Sequence, residues 1–357
     1  MKIKDIVLQK TRFTLEEPFK VAFTTITGME SMIVTITTDE GITGYGEAAP
    51  FELVTGDTLD TVRSVGEFLK PELIGQDPRS INAIHEIMDG TIAGNTAIKA
   101  GIDIACYDIA SKAAGVPLYR YLGGSHCDVE SDVTIGIADP MHMAEKAVQW
   151  KNKGFGILKV KLGEDIKTDI QRIQAIRKAV GEDEILRVDA NQGWTLKDTL
   201  NILPALEEVK VSLLEQPLKA WDIDGMKRLT AMSRIRIAAD ESCHSVYDAA
   251  RIAKEHAADV VNIKLMKCGG ILNALKINAV CESNGIECMV GCMGESSLAN
   301  AAGMHLAAAL TNIHYADLDS AWLLKQDKVI PGFRHQGGCA QLMEIPGTGC
   351  SVKEEEQ

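Results

Sequence analysis

The sequence predicts an α/β chain in which an N-terminal α+β part precedes a parallel (β/α) barrel. From about Asp132 onward, short apolar segments alternate with helix-length amphipathic ones, the pattern of parallel βαβ units. Eight such strand candidates occur, the number that closes a barrel. Polar residues at their ends (Lys161, Asp189, Glu215, Asp240, Lys264, Cys292 and Asp317) recur every 24 to 28 residues.

Taken in order, Met32–Thr38 is β-branched and reads as a strand. Asp39-Glu40-Gly41 turns it, and Ile42–Glu47 returns. Thr58–Leu69 has helical apolar spacing, with Pro71 expected to end it. Asn95–Ala114 is a stronger helix, placing Ala97, Ile98, Gly101, Ile104, Ala105 and Ile109 on one side. Gly123-Gly124 reads as a domain joint. The barrel strands are expected at Val133–Ile137, Leu158–Leu162, Leu186–Asp189, Val211–Glu215, Ile235–Asp240, Val260–Leu265, Glu287–Cys292 and Tyr315–Asp319. Helix-length segments such as Ile166–Val180, Asp248–His256 and Ser297–Leu310 separate them. The irregular tail after Asp319, with Pro331 and Pro346, is expected to pack back on the first domain.

At 357 residues the chain has room for two domains, and 46% apolar content supports a real core. A net charge of −13 argues against nucleic acid or an anionic membrane as partner. The opening Met1-Lys-Ile-Lys-Asp-Ile lacks the apolar core of a signal peptide, and no segment approaches the ~18 apolar residues of a membrane span. The nine scattered cysteines form no Cys-x-x-Cys pair and read as reduced thiols of a cytoplasmic protein. The eight histidines show no zinc spacing.

Strand alternation exposes the chemistry. Lys159 and Lys161 share one face of their strand, Asn262 and Lys264 share one face of theirs, and Asp189 aligns with Asn191. Helix-facing positions must be apolar, so the charged set points into the barrel mouth, where barrel active sites are built. Three successive strands end in Asp189, Glu215 and Asp240. Inward carboxylates on neighbouring strands repel unless neutralised, and a hard cation with oxygen ligands, Mg²⁺, suits them. Lys161 and Lys264 fall on opposite walls of the ring. A cation and a second ammonium nearby disfavour a charged lysine, so a pKa lowered toward neutrality is expected. One lysine can then remove an α-proton while the other delivers a proton to the opposite face.

Together, Lys159-Val-Lys161, Asp189-Ala-Asn191, Glu215-Gln-Pro217, Asp240-Glu-Ser242 and Asn262-Ile-Lys-Leu-Met-Lys267 resemble the motifs of the enolase superfamily, muconate-lactonizing subgroup. The resemblance spans almost the whole chain. It implies an α/β fold, a (β/α)₇β TIM-like barrel with an N-terminal α+β capping domain. The expected division is 1–124 for the cap, 125–320 for the barrel and 321–357 for a segment returning to the cap. It further implies one Mg²⁺ per subunit on Asp189, Glu215 and Asp240, acid–base catalysis by Lys161 and Lys264 through a Mg-stabilised enolate, assistance from Lys159 and support from Asn191. Members are often homo-oligomers.

In the eighth strand, Asp317 and Asp319 share a face. This Asp-x-Asp resembles that of the dipeptide epimerases, isomerases in which it binds the peptide's free α-amino group. The implied activity inverts the Cα of the C-terminal residue of L,L-dipeptides. N-acylamino-acid racemase, o-succinylbenzoate synthase and muconate cycloisomerase chemistries belong to the same subgroup, but they offer no ammonium to these acids. A non-catalytic metal-binding homologue would need no opposed lysines. Epimerases of Ala-Glu type carry an Arg where this chain has Thr24, and losing that cation removes the partner for an acidic side chain. Phe19, Phe23 and Ile26 form an apolar rim, although Phe19 and Phe23 serve equally well to pack the cap on the barrel. Gly294 replaces a bulkier residue and is expected to leave room for a larger N-terminal residue. Thr134 and Cys292 are further candidate pocket residues. A preference for hydrophobic dipeptides follows.

Overall fold

The computed structural model describes residues 1–353, so the last four residues of the expected 321–357 segment lie outside the described residues. The chain begins with an antiparallel sheet of three strands, β1 (Ile3–Val21), β2 (Thr24–Thr38) and β3 (Thr43–Ala48). The strand β1 has no counterpart among the expected elements. A register shift between Ile3 and Asp5, and another between Thr14 and Phe19, break the period of two that would reveal it. Beyond the second shift the hairpin of β1 and β2 pairs again, Phe19 with Ile26 and Val21 with Thr24, and forms a flap.

Three helices follow: Leu59–Leu73, Ile81–Thr91 and Thr96–Ala113. The first runs past Pro71 rather than ending there. Pro71 falls in the last turn, and burial of Leu69 and Leu73 holds that turn in place. The helix Thr96–Ala113 is buried on nearly every side, not on one face, because it lies between the sheet and the barrel. Its approach to β3 is close. A Cβ at Gly46 would lie 2.0 Å from the Gly101 carbonyl, so only glycine fits.

After the short strand β4 (Asp128–Glu130) come the barrel strands. They are β5 (Val133–Ile135), β6 (Ile157–Lys161), β7 (Ile185–Asp189), β8 (Val211–Glu215), β9 (Arg236–Ala239), β10 (Val260–Lys264), β11 (Glu287–Gly291) and β12 (Ile313–Asp317). They pair in parallel in sequence order. Bonds from Asp132 N to Ala316 O (3.2 Å) and from Leu318 N to Ser131 Oγ (2.8 Å) stitch the two end strands together. A helix follows each of the first seven strands and a 3₁₀ turn follows the eighth, giving the (β/α)₇β order expected.

Side-chain alternation divides the barrel wall. Leu158, Val160, Leu186, Val188, Leu214, Val261 and Ile263 are buried beneath the helices. On the inside, Leu213, Ala238, Val260 and Met289 with Tyr315 make an apolar plug at one end. The layers above it are charged: Lys159 pairs in register with Arg187, and Lys161 with Asp189, which pairs in turn with Glu215.

Two buried carboxylates lock the first domain onto the barrel. Asp103 accepts from Ile271 N (2.6 Å), at the start of the helix Ile271–Ser283, and is held by His85. Glu47 accepts from the N–H groups of Ser296 and Ala299 at the start of the helix Ser297–Ala309. Each satisfies N–H groups that a helix start leaves unpaired. The tail strand Cys339–Leu342 pairs with β4, Leu15 bridges Leu324, and Thr348 N donates to Asp108 on the helix Thr96–Ala113. No helix among the described residues is long and apolar enough to cross a membrane.

Candidate active site

The strand order places β6 and β10 four positions apart in a ring of eight, so Lys161 and Lys264 face each other across the mouth. Asp189 and Glu215 end β7 and β8, while Asp240 lies one residue beyond β9. All three are buried, and each offers an oxygen within 4.8 Å of the others. Lys161 Nζ lies 2.6 Å from Asp189 Oδ2, and Lys264 Nζ 2.8 Å from Asp240 Oδ2.

Lys159 occupies the layer below. Its Nζ meets Asp317 Oδ2 (2.6 Å), Glu215 Oε2 (2.6 Å) and Asp189 Oδ2 (3.1 Å), and the side chain is 2% exposed. It lies beneath the cavity described below rather than lining it, and its ammonium is shared by these three carboxylates. Period two explains this: Lys159 shares the inward face of Lys161 but sits one layer deeper. Asn262 Nδ2 donates to Glu215 Oε1 (2.7 Å), and Asn191 N to Asp189 Oδ1 (2.9 Å).

The charges set each group's ionisation. Burial opposes ionisation of Asp240, but Lys264 and Lys267 outweigh it and hold the carboxyl well below the usual range. Asp189 is lowered likewise, burial being outweighed by Lys161 and Lys159. Burial and then Asp189 push Glu215 up to about 7. Burial lowers Lys264, but Asp240 and Glu215 raise it further while no cation screens them. Neighbouring carboxylates thus dominate the field of the second lysine.

The donor set fits a hard divalent cation. It is all oxygen, with one carboxylate from each of three adjacent strands. The buried oxygens Asn191 Oδ1 and Glu241 Oε2 have no partner and are suited to accept from coordinated water. Carboxyls also outnumber cations in the mouth, an excess that such an ion neutralises.

A cavity of about 400 Å³ opens above. Lys161, Lys264, Asp240, Asn191 and Glu241 line its floor, and Thr134, Cys292, Gly294, Asp317 and Asp319 one side. The flap supplies Phe19, Phe23, Thr24, Ile26 and Met29, and the loop after β3 supplies Phe51 and Val54. Asp319 accepts from Thr134 N (2.6 Å), and Cys292 Sγ approaches it at 4.0 Å. Burial opposes ionisation of Asp317, but Lys159, Lys264 and Lys161 together outweigh it and hold it near 2, whereas burial and Asp317 raise Asp319 to about 6. The room expected beside Gly294 is taken up: a Cβ there would lie 2.7 Å from Met29 Sδ.

Sequence reasoning gave no role to several residues, although Gln216, Glu241 and Lys267 stand within the motifs it singled out. Asp132 has an oxygen within 4.8 Å of Asp317 and Asp319 and is paired with Arg187 (2.7 Å). Alternation from Thr134 and Asp189 would have found both. Glu241 and Lys267, which bonds Asp240, lie beyond their strands, where alternation ends. Gln216 ties two ligand loops together, accepting from Asp240 N (2.9 Å) and Ser242 N (3.1 Å).

Comparison with known proteins places this geometry in context. The profile of the mandelate racemase/muconate lactonizing enzyme N-terminal domain matches residues 3–123, and that of the enolase C-terminal domain-like family matches residues 142–356. The chain is 45% identical to the hydrophobic dipeptide epimerase of Enterococcus faecalis, over 98% of this chain and 100% of that one. It is 42% identical to the L-Ala-D/L-Glu epimerase of Clostridium acetobutylicum, over 98% of each. The crystal structure of a dipeptide epimerase from Enterococcus faecalis complexed with Mg and the dipeptide L-Leu-L-Tyr superposes with a TM-score of 0.97, at 45% identity over 98% of this chain and 100% of that one.

Proposed function

Because the chain belongs to the mandelate racemase/muconate lactonizing enzyme family of the enolase superfamily, we propose that it is a dipeptide epimerase. It inverts the Cα of the C-terminal residue of L,L-dipeptides and prefers hydrophobic ones. One observation carries the reading: the cavity that Lys161 and Lys264 enter from opposite walls is also lined by Asp317 and Asp319.

Asp317 and Asp319 receive the substrate's ammonium. Asp317 is already ionised, and Asp319, held by Thr134 N, ionises more readily once a cation sits beside it. Lys159 and the Asp132–Arg187 pair fix this wall from behind. Asp189, Glu215 and Asp240 hold Mg²⁺, which, when bound, takes up negative charge as the substrate's α-proton leaves and offsets the carboxylate field on the lysines. Lys161 Nζ and Lys264 Nζ then exchange the α-proton on opposite faces of Cα, one accepting while the other donates. Phe19, Val21, Phe23 and Ile26 close over the cavity with Phe51 and limit water at the exposed carbon.

The apolar flap, with Thr24 in place of a cation, supports the hydrophobic preference. The reading includes a cytoplasmic location and a homo-oligomer. The nine free cysteines support the former and the family likeness the latter. Racemases of N-acylated amino acids, succinylbenzoate synthases and muconate cycloisomerases act on substrates without an ammonium for Asp317 and Asp319. The test is incubation with Mg²⁺ and a library of L,L-dipeptides in D₂O. A gain of one mass unit at the C-terminal Cα, with appearance of the L,D isomer, is expected. Absence of exchange with every dipeptide would overturn the reading.

A further inference from the structure

We propose that Met29 is a specificity-determining residue, a movable thioether plug over Gly294 that sets the depth of the subsite for the substrate's N-terminal side chain. The inference rests on the dipeptide reading above and deepens it. A Cβ built on Gly294 would lie 2.7 Å from Met29 Sδ, 2.8 Å from its Cγ and 3.4 Å from its Cβ. The methionine therefore fills the volume that a side chain at position 294 would take. The backbone of Gly294 is outside the left-handed region, so the space, not the conformation, decides what fits there.

The position of the pair identifies the subsite. Gly294 follows β11, the neighbour of β12. Cys292 N donates to Asp317 O (3.1 Å), and Glu295 N to Ser320 Oγ (3.3 Å). The pair thus sits beside the acids that take the ammonium, away from the carboxylates on β7 to β9. The side chain nearest that ammonium is the N-terminal residue's own.

Met29 is half-buried on β2, where it pairs with Phe13 and packs near Leu15, Leu323 and Leu324. Three rotatable bonds and a soft sulfur let a methionine repack at small cost. It can fill the subsite over a small N-terminal residue and withdraw from a large one.

The experiment compares kcat/KM for dipeptides with one C-terminal residue and N-terminal Ala, Val, Leu, Phe or Trp. Met29→Ala should raise the Trp-to-Ala ratio about tenfold or more, and Gly294→Ala should lower it by a similar factor. In the double variant the two effects should not add, because the methyl at 294 no longer meets a thioether. If Met29→Ala loosens the flap and does not fold, Gly294→Ala carries the same readout with opposite sign. A ratio unmoved by either substitution, or strictly additive effects, overturns the plug and leaves the epimerase reading standing. A wild-type protein that exchanges no dipeptide overturns both.

Discussion

Lys161 and Lys264 differ in their partners, and that difference can be tested. Each has one close carboxylate in the mouth, Asp189 and Asp240 respectively. Asp240 is also bonded by Lys267, whereas Asp189 is shared with Lys159. If each lysine serves one face of Cα, removing one should abolish inversion but leave exchange on the other face. Lys161→Ala and Lys264→Ala should each lose epimerisation by about 10²–10⁴-fold or more. Residual deuterium exchange should be confined to one stereoisomer, and to opposite stereoisomers in the two variants. Chiral separation after incubation in D₂O reads both quantities. Exchange from both stereoisomers in both variants would contradict two bases. Alternation made these lysines legible, because both lie within strands whose outward neighbours are apolar. The same rule is silent on Lys267 and Glu241, which the chain positions only after leaving its strands. Lys159 was legible as inward but not as buried, since period two gives a face and not a depth.

At the scale of elements, the turn from β11 into the helix Ser297–Ala309 concentrates buried acid. Glu47 reaches it from β3, and Glu295 folds back to accept from Met293 N (2.9 Å). Burial, reinforced by Glu47, pushes Glu295 up from 4.5 to about 8. Glu295 is therefore neutral in the folded chain over a range where it is charged in the unfolded one. Folding binds a proton across that window, so this group's contribution is complete below about pH 4.5 and is lost as pH rises toward 8. Glu295→Gln keeps the shape without the titration. The variant should show a flatter stability profile from pH 5 to 8 and gain a few kcal/mol over the parent at the alkaline end, as each tenfold change in proton affinity on folding corresponds to about 1.4 kcal/mol. Urea unfolding at a series of pH values measures this. Parallel profiles for parent and variant would exclude Glu295 as the source. The helix itself was legible from its apolar run, whereas its docking to Glu47 joins residues 249 positions apart and leaves no local trace. The strand β1 was lost for a related reason, its alternation being interrupted twice by register shifts.

Across the whole molecule, fold and site were legible to different degrees because they rest on different regularities. The barrel repeats, so its spacing survives in the sequence even where individual strand ends move by a residue or two. The flap, the loop after β3 and the tail do not repeat, and their meeting above the mouth is set by long-range packing such as Leu15 against Leu324. This division makes the metal a matter of stability as well as catalysis. The barrel wall must keep Asp189, Glu215 and Asp240 buried and close whether or not the ion is bound, and carboxylates crowded together out of water are costly even beside lysines. A cation that binds only the folded chain returns that cost by mass action, about 2.7 kcal/mol at a hundredfold excess over Kd. Adding Mg²⁺ to chelator-treated protein should therefore raise the unfolding temperature as well as restore dipeptide exchange. Asp189→Asn and Glu215→Gln should lose both responses while remaining folded, because each substitution relieves the repulsion that the ion otherwise relieves. Calorimetry with and without Mg²⁺ on the three proteins decides it. An unfolding temperature indifferent to Mg²⁺ in the parent would contradict binding to the folded chain, and equal sensitivity in the variants would place the ion elsewhere than between these three strands.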